Sequence, residues 1–322
     1  MRQAGRYMPE YRAIRQRYGM LDLCRTPELA VTVTLQPVQA MEVDAAILFS
    51  DLLLPLAPMG LTFDFVKGEG PAFDNPIRSV ADVERVIPID PVESLGYVLD
   101  SIRHLKPMLN VPLIGFVGAP FTLASYAIEG GPSKDFARTK AMMYGEPEAW
   151  HTLCARLADM AGTYLRAQVA AGVDAVQVFD SWVGHLSPAD YREFALPHTR
   201  RVFEAIADLD TPSIHFGVGT ATLLEGMATA GSTVMGADWR IPLDTAWSLI
   251  GSERGIQGNL DPTLLLGPWD RLQRAVEDVL ARAGGRPGHI FNLGHGVLPM
   301  TSPDVVRRVI DLVHTLSATS TR

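Results

Sequence analysis

Short apolar runs recur along the chain, and each ends in Gly, Asp, His or Pro before a segment with helical spacing begins. Runs that are almost continuously apolar are typical of parallel strands, because both faces of such a sheet are covered. The segments between them, such as 148–170, repeat apolar residues at helical spacing with charges in between. Seven strands are predicted, within the ranges 43–51, 111–120, 172–181, 211–219, 232–239, 254–262 and 288–296.

The alternation of strands and helices predicts βα units, of which eight close a (β/α)8 TIM barrel. Because seven strands are one short, we expect the first strand to be clipped at the N-terminus, just before "RQAGR" (2–6). The chain is thus interpreted as a single α/β TIM-barrel domain over 1–322. A doubly wound open sheet is the alternative, but no Gly-rich phosphate motif follows the first strand. The alternating stretch 61–73 predicts a hairpin inserted in a βα-loop.

Composition narrows the class of protein. No apolar run reaches the roughly 18 residues that a membrane span needs. A net charge of −8 and a pI near 5.5 argue against a nucleic-acid binder, which would carry a broad basic face. Cys24 and Cys154 lie far apart without metal-type spacing, and no signal peptide is visible. These features favour a cytoplasmic protein without a cysteine-bound metal.

The first fifteen residues run against this acidic balance. They hold one acid, Glu10, and four arginines: Arg2, Arg6, Arg12 and Arg15. Such a cluster predicts an anionic partner, because guanidinium groups pair well with carboxylates. Arg12 and Arg17 also fit the solvated face of a helix after Pro9, so a binding role is not required of every arginine.

Polar residues follow several predicted strands, and in a TIM barrel such positions face the active site. They are Asp51, Tyr126, Asp180, Ser181, His215, Asp238, Asn259, Asp261, Asn292 and His295. Asp51 could equally be a helix N-cap, and His215, inside a strand, fits a hydrogen-bonded core histidine better than a functional one. His295, flanked by glycines, favours function. Loop anchoring is favoured for three others: Asp238, Asn259 and Asp261.

Common catalytic motifs are missing from the sequence, which has no Gly-x-Ser-x-Gly, Walker or His-Glu-x-x-His pattern. A metal held by carboxylates stays open, although the strand-end acids do not come in close pairs. The residues that remain predict a cofactor-free site with an acid, an arginine clamp, a phenol and an imidazole.

Seven motifs, in order, resemble the uroporphyrinogen decarboxylase family from the first residue to about residue 315. They read "MRQAGRYMPEYR", "LFSDLLLPLAPMG", "GFVGAPFTLASYAIEGG", "FDSWVGHLSP", "GADWRIPL", "IQGNLDP" and "NLGHGVLP". The resemblance implies a (β/α)8 barrel that acts as a homodimer. It also implies removal of CO₂ from the four acetate side chains of uroporphyrinogen III, giving coproporphyrinogen III in haem biosynthesis, without metal or organic cofactor.

The substrate implied by the resemblance carries eight carboxylates, which accounts for the basic N-terminus. By similarity, Arg2, Arg6 and Arg15 pair with these carboxylates, and Gln3, Ala4 and Gly5 supply backbone contacts. Each charge-assisted hydrogen bond contributes about 1.5–3 kcal/mol. Asp51 matches the central carboxylate that accepts the pyrrole N–H groups. The resemblance makes Arg2 the proton donor, although a guanidinium is a weak acid with a pKa above about 12.

Further site residues follow from the same resemblance. Tyr126, Ser181 and His295 match substrate contacts, and Phe116 and Phe179 are expected to form apolar walls that exclude water and strengthen the Asp51 interaction.

Two departures from the family pattern stand out. Family members usually carry some tens of residues before the first motif, so we expect the start to be misassigned or truncated. Phe121 replaces the commoner Trp.

Two rival functions are considered. Cobamide-dependent methyltransferases share the fold but need a zinc-binding His-x-Cys and a further Cys. The corresponding positions here read His215-Phe216-Gly217 and Gly294-His295-Gly296, with neither cysteine nearby in the sequence. A tetrapyrrole carrier that kept the arginines but lost turnover is the second rival. Holding a tetrapyrrole alone would not require Asp51.

Overall fold

The computed structural model describes residues 3–66, 68 and 70–319. Within these residues a seven-stranded parallel sheet forms the centre of the fold. Its strands are β1 (Ala46–Ile47), β4 (Leu113–Gly118), β5 (Ala175–Asp180), β6 (Ser213–Gly217), β7 (Val234–Gly236), β8 (Gly255–Leu260) and β9 (His289–Leu293). Each lies inside one of the seven predicted ranges, so the strand prediction is confirmed.

The remaining two strands form the predicted hairpin, which is also confirmed. Strand β2 (Phe63–Val66) pairs antiparallel with β3 (Gly70–Phe73). Phe63 lies opposite Phe73 in the register, and their ring centroids are 5.3 Å apart. This contact buries the base of the hairpin against the core beside the loop that follows β1.

Helices connect the strands and cover the sheet. Before β4 they are α1 (Pro9–Arg15), α2 (Met20–Arg25), α3 (Pro27–Met41), α4 (Val80–Glu84), α5 (Pro91–Ser94) and α6 (Gly96–Leu105). Up to β6 they are α7 (Pro120–Glu129), α8 (Ala137–Gly145), α9 (Pro147–Ala171), α10 (Pro188–Asp190) and α11 (Leu196–Glu204). The last are α12 (Leu224–Ala228), α13 (Leu243–Ile250), α14 (Trp269–Ala283) and α15 (Pro303–Thr319).

The sequence sets the ends of the longest helix, α9. Pro147 suits its first turn, where no N–H partner is needed. Gly172 follows its end at φ +120°, a backbone conformation that a side chain would strain. Leu153, Leu157 and Leu165 lie on one side of the helix and are fully buried. This helix confirms the prediction made for 148–170.

Strand order distinguishes the two predicted architectures. Each main-sheet strand pairs with the next one along the chain, in the order β1-β4-β5-β6-β7-β8-β9. A doubly wound sheet would instead reverse direction at a switch point, so the TIM-barrel interpretation is confirmed and the open-sheet alternative is wrong. The strand expected before "RQAGR" falls outside the described residues.

The outer edge of β1 is paired by a side chain. The N–H groups of Ala46 and Leu48 bond to the β4 side of the sheet. On the opposite edge the Gln3 amide donates to the Ala45 carbonyl oxygen at 2.7 Å and accepts the Ile47 N–H at 2.9 Å. The first loop is therefore held directly beside β1.

A small apolar cluster fixes the N-terminal segment further. It consists of Ala4, Tyr7, Met8, Tyr11, Leu23, Val33 and Met41. Burial raises the pKa of the Tyr7 phenol to about 12. Across the described ranges, no helix has both the length and the apolar character needed to cross a membrane.

Candidate active site

Three phenylalanines line the inner face of the sheet. A side chain at Gly115 would collide with Gln168 of α9, so Gly115 faces the helices and Phe116 faces inward. The Phe116 and Phe179 rings meet edge to face at 5.4 Å, and Phe179 meets Phe216 in the same way at 6.1 Å. The predicted apolar wall of Phe116 and Phe179 is therefore a continuous aromatic surface. Gln168 holds it in place by bonding both the N–H and the C=O of Phe116 at 2.9 Å.

Asp51 follows β1 by four residues and is half-buried. Its Oδ1 accepts the N–H of Leu53 at 2.9 Å, ahead of a 3₁₀ turn over Leu54–Leu56. This is an Asx turn and not the helix N-cap considered from the sequence, because the residue that precedes the 3₁₀ turn is Leu53. The bond fixes the direction of the Asp51 carboxyl group. A role in the turn and a role in chemistry are compatible, because the turn occupies the rim of the sheet where active sites form.

The buried thiol of Cys24 is affected by three charged groups. Burial raises the pKa of this thiol, and the carboxylate of Asp51 raises it further. The guanidinium groups of Arg15 and Arg25 act on the same thiol in the opposite direction. The sequence singled out Arg15 but not Arg25, because Arg25 lies beyond the first motif at the end of α2. The binding role of Arg15 stays a prediction.

The N-terminal loop carries the other predicted binding residues. Ala4 and Gly5 are buried and Arg6 is exposed. Arg12 donates from Nη1 to the carbonyl oxygen of Arg6 at 2.9 Å. The Arg15 guanidinium bonds the carbonyl oxygen of Tyr18. Arg12 therefore holds the loop in shape, a role that its place on a helix face did not reveal.

Gln3 and Arg2 differ from the other predicted residues of the N-terminal loop. Gln3 uses its side-chain amide on the β1 edge, so its expected contact with substrate rests on its backbone. Arg2 lies outside the described residues, and its predicted role stays a prediction.

Tyr126, Ser181 and His295 follow strands β4, β5 and β9, at the edge of the sheet that also carries Asp51. Tyr126, on α7, is half-buried, and its ring meets Trp182 edge to face at 5.6 Å. Ser181 immediately follows β5. His295 is exposed, 6.4 Å from the Trp239 ring. Carboxyl ends of parallel strands share one edge of a barrel, which places a phenol, a hydroxyl and an imidazole around the same mouth.

Asp180 does not face this mouth, so the strand-end expectation is wrong for Asp180, and His215 lies beside it in the core. Both side chains are fully buried in the helix layer, with His215 Nε2 3.7 Å from Asp180 Oδ2. Side chains alternate along a strand, so Asp180 points outward when Phe179 points inward. The preference for a core position at His215 is confirmed, but neither ring nitrogen has a hydrogen bond to the described protein atoms.

Three other strand-end residues anchor loops, as predicted. Asp238 accepts the N–H of Arg240 at 3.0 Å through Oδ1. Asn259 donates to the carbonyl oxygen of Asp238 at 2.9 Å, and Asp261 accepts the N–H of Thr263 at 2.8 Å. These bonds hold the ends of β7 and β8 in place.

Metal ligands are not assembled in the part of the chain that the structure describes, where no group of three or more His, Cys, Asp or Glu side chains is arranged to hold an ion. Both cysteines are buried. Burial and the charge of Asp180 raise the pKa of the Cys154 thiol, which disfavours the thiolate that zinc needs.

A family model for uroporphyrinogen decarboxylase matches residues 1–316. The chain belongs to the uroporphyrinogen decarboxylase family. A uroporphyrinogen decarboxylase of Sorangium cellulosum is 54% identical, covering 99% of this chain and 92% of its own length. One from Carboxydothermus hydrogenoformans is 52% identical with the same coverage of both chains. Membership of the family therefore extends over the whole described sheet and its mouth.

Solved structures show the same fold in more distant proteins. A methyltransferase from Methanosarcina mazei superposes with a TM-score of 0.77 at 19% identity, covering 92% of this chain and 90% of its own. A B12-independent methionine synthase from Shewanella sp. W3-18-1 gives 0.61 at 10% identity, covering 92% and 88%. At such identities the likeness shows the fold and not the chemistry.

Proposed function

We propose that this chain is a carboxy-lyase that removes CO₂ from the four acetate side chains of uroporphyrinogen III, giving coproporphyrinogen III in haem biosynthesis. Family membership over the full chain supports the activity. The observation that carries the proposal is Asp51, which lies just beyond β1 with its carboxyl group held by the Leu53 N–H, on the rim of a sheet whose inner face is lined by Phe116, Phe179 and Phe216. A fixed acid and an aromatic surface suit a macrocycle with pyrrole N–H donors at its centre and carboxylates on its rim.

Asp51 would act on the charge that develops in the pyrrole ring. Protonation of a pyrrole α-carbon makes the ring cationic, and the C–C bond to the departing carboxylate then breaks with its electrons moving into that ring. Protonation of the resulting exocyclic methylene and loss of the α-proton then restore the pyrrole and leave a methyl group. An anion held in place by the Leu53 N–H stabilises this cation without reorganising. Phe116 and Phe179 keep water from the carboxyl group, which strengthens its interaction with the ring.

Substrate is held by groups around the rim. Arg6 and Arg15 bind propionate and acetate carboxylates, with Arg2 as a further partner. The backbone of residues 3–5 lies close to the bound substrate. Tyr126, Ser181 and His295 complete the contacts around the mouth. Arg2, Tyr126 and His295 are the candidates for delivering or relaying the proton, since each carries an N–H or O–H that can face the ring.

The wider expectations belong to the same proposal. The chain would act as one TIM-barrel domain over 1–322, in a cytoplasmic homodimer, with neither nucleic acid nor membrane as partner. Catalysis would need no metal or organic cofactor, because the protonated pyrrole itself accepts the electrons that a cofactor would otherwise take.

Anaerobic incubation of the protein with uroporphyrinogen III tests the proposal. Counting carboxyl groups on the oxidised products by mass spectrometry should show conversion from eight to four. Tight binding with eight carboxyl groups retained would favour the carrier instead. Stoichiometric zinc in the purified protein, with no loss of carboxyl groups from uroporphyrinogen III, would favour the methyltransferase-like alternative.

A further inference from the structure

A hydroxyl group joins helix α7 to the end of strand β5. Thr122 Oγ1 donates to Asp180 Oδ1 at 2.9 Å and accepts the N–H of Trp182 at 3.2 Å. Thr122 and Asp180 are both fully buried. One side chain on the helix therefore contacts both residues that flank Ser181.

The helix end of this link carries Tyr126. Residues four apart lie on the same face of a helix, so Tyr126 is one turn beyond Thr122 and extends from the same side of α7. Its ring meets Trp182 edge to face at 5.6 Å. Trp182 also lies 5.5 Å from the buried ring of Phe136, which limits where it can move. The hydroxyl of Thr122 thus fixes the spacing between Tyr126 and the Ser181–Trp182 turn.

Asp180 cannot act on a substrate directly. Its Oδ1 is taken by Thr122, and its Oδ2 faces His215 Nε2 at 3.7 Å inside the helix layer. The ring of His215 packs in turn on Phe203 of α11, 5.4 Å away. Any effect of Asp180 on chemistry must pass through the groups that it holds.

We propose that Thr122 and Asp180 are positioning residues, which align Tyr126 with Ser181 for decarboxylation through the Asp180–Thr122–Trp182 hydrogen bonds. The inference rests on the proposed function for its catalytic consequence. The alignment itself is a statement about geometry, which can be tested without turnover.

Helix α7 offers a matched control. Ser125 is another fully buried hydroxyl on the same helix, but it donates to the carbonyl oxygen of Phe121 at 2.7 Å within that helix. Ser125→Ala therefore removes a buried hydroxyl from α7 without removing a bond to another element. Of the two hydroxyls, that of Thr122 is the one that reaches the end of β5.

The test compares Thr122→Val with Thr122→Ser and Ser125→Ala. We expect Thr122→Val to lower kcat by about 10- to 100-fold while KM changes little, because the rim arginines are untouched. Thr122→Ser keeps the hydroxyl and should stay within about threefold of wild type, as should Ser125→Ala. A kcat for Thr122→Val equal to that for Ser125→Ala would overturn the proposal.

Near-ultraviolet circular dichroism supplies a readout that does not depend on activity. Trp182→Phe identifies the part of the spectrum that comes from the Trp182 indole, which packs on both Tyr126 and Phe136. Thr122→Val should lose that part, whereas Thr122→Ser and Ser125→Ala should keep it. If wild type proves inactive on uroporphyrinogen III, the proposed function fails, and this spectrum alone still decides the alignment. An unaltered Thr122→Val spectrum would reject it.

Asp180→Asn provides a second test in case Thr122→Val does not fold. The amide oxygen of Asn can still accept the Thr122 hydroxyl, so activity and spectrum should be retained. Loss of both in a folded Asp180→Asn protein would contradict a role carried by this hydrogen bond.

Discussion

Asp51 accepts the backbone N–H of Leu53 at 2.9 Å, so the carboxyl group that we place beneath the substrate is also part of the turn that ends β1. The hydrogen bond needs an oxygen at this position but not a negative charge. The chemistry proposed for Asp51 needs the charge. Substitutions can therefore separate the two roles.

The turn should survive Asp51→Asn but not Asp51→Ala. The amide oxygen of Asn can accept the Leu53 N–H, so the free energy of unfolding should change by less than about 0.5 kcal/mol. Asp51→Ala removes the acceptor and should cost about 0.5–1.5 kcal/mol, the usual contribution of one hydrogen bond. Urea unfolding of the three proteins measures this. Equal stability of the Asn and Ala variants would show that the turn does not depend on the Asp51 side chain.

Arg6→Ala should weaken binding of the octacarboxylate strongly while leaving the fold intact. Arg6 is exposed, and Arg12 bonds its backbone carbonyl oxygen, which the substitution keeps. Loss of one charge-assisted contact corresponds to about 1.5–3 kcal/mol, or roughly 10- to 150-fold in affinity. Arg17→Ala, also exposed and near the end of α1, is the matched control. Equal affinities of the two variants in a titration would argue against a clamp.

Acid should destabilise the protein through His198. Burial lowers the pKa of this imidazole from 6.5 to about 4, helped by the charges of His151 and Arg201. Between these two values the unfolded chain binds the extra proton, so stability present above pH 6.5 is lost as the pH falls toward 4. Each pH unit within this window costs up to about 1.4 kcal/mol.

His198→Gln isolates this contribution, with the exposed His104→Gln as control. On going from pH 7 to pH 5, wild type and the control should lose about 1–2 kcal/mol more unfolding free energy than His198→Gln. The same pH response in all three proteins would mean that His198 titrates normally when folded.

Both cysteines should resist alkylation in the native protein. Cys24 is 2% exposed and Cys154 is fully buried, and burial raises the pKa of each thiol. Thiolate is the reactive species, so labelling by iodoacetamide at pH 8 should be at least about 10²-fold slower than in guanidinium. Rapid labelling of Cys24 in the native protein would show that this thiol is open to solvent and not buried.

Strand positions could be predicted from the sequence because buried parallel strands leave long apolar runs. Their lengths could not. The run 43–51 suggested a full strand, yet β1 covers only Ala46–Ile47. Its outer edge is paired with the Gln3 amide, a contact between residues more than forty positions apart that no local pattern contains.

The sequence predicted which residues lie at strand ends, but not which face of the sheet each of their side chains points to. Asp180 and Ser181 are adjacent in sequence, yet Asp180 enters the helix layer and Ser181 follows at the rim. Side chains alternate between the two faces of β5, and the sequence does not say which set faces inward. The contact between Phe179 and Phe116 shows that Phe179 faces inward, so Asp180 faces the helices. The partner of Asp180, Thr122, lies on another element, and its role required the folded chain.

The central claim is that the charge of Asp51 drives decarboxylation, and it is tested most directly by anaerobic turnover of uroporphyrinogen III with wild type and Asp51→Asn. Carboxyl groups on the products are counted over time at equal concentrations of folded protein. We predict that wild type yields the four-carboxylate product while Asp51→Asn slows by about 10²–10³-fold. Product formation by Asp51→Asn at close to the wild-type rate would contradict the account.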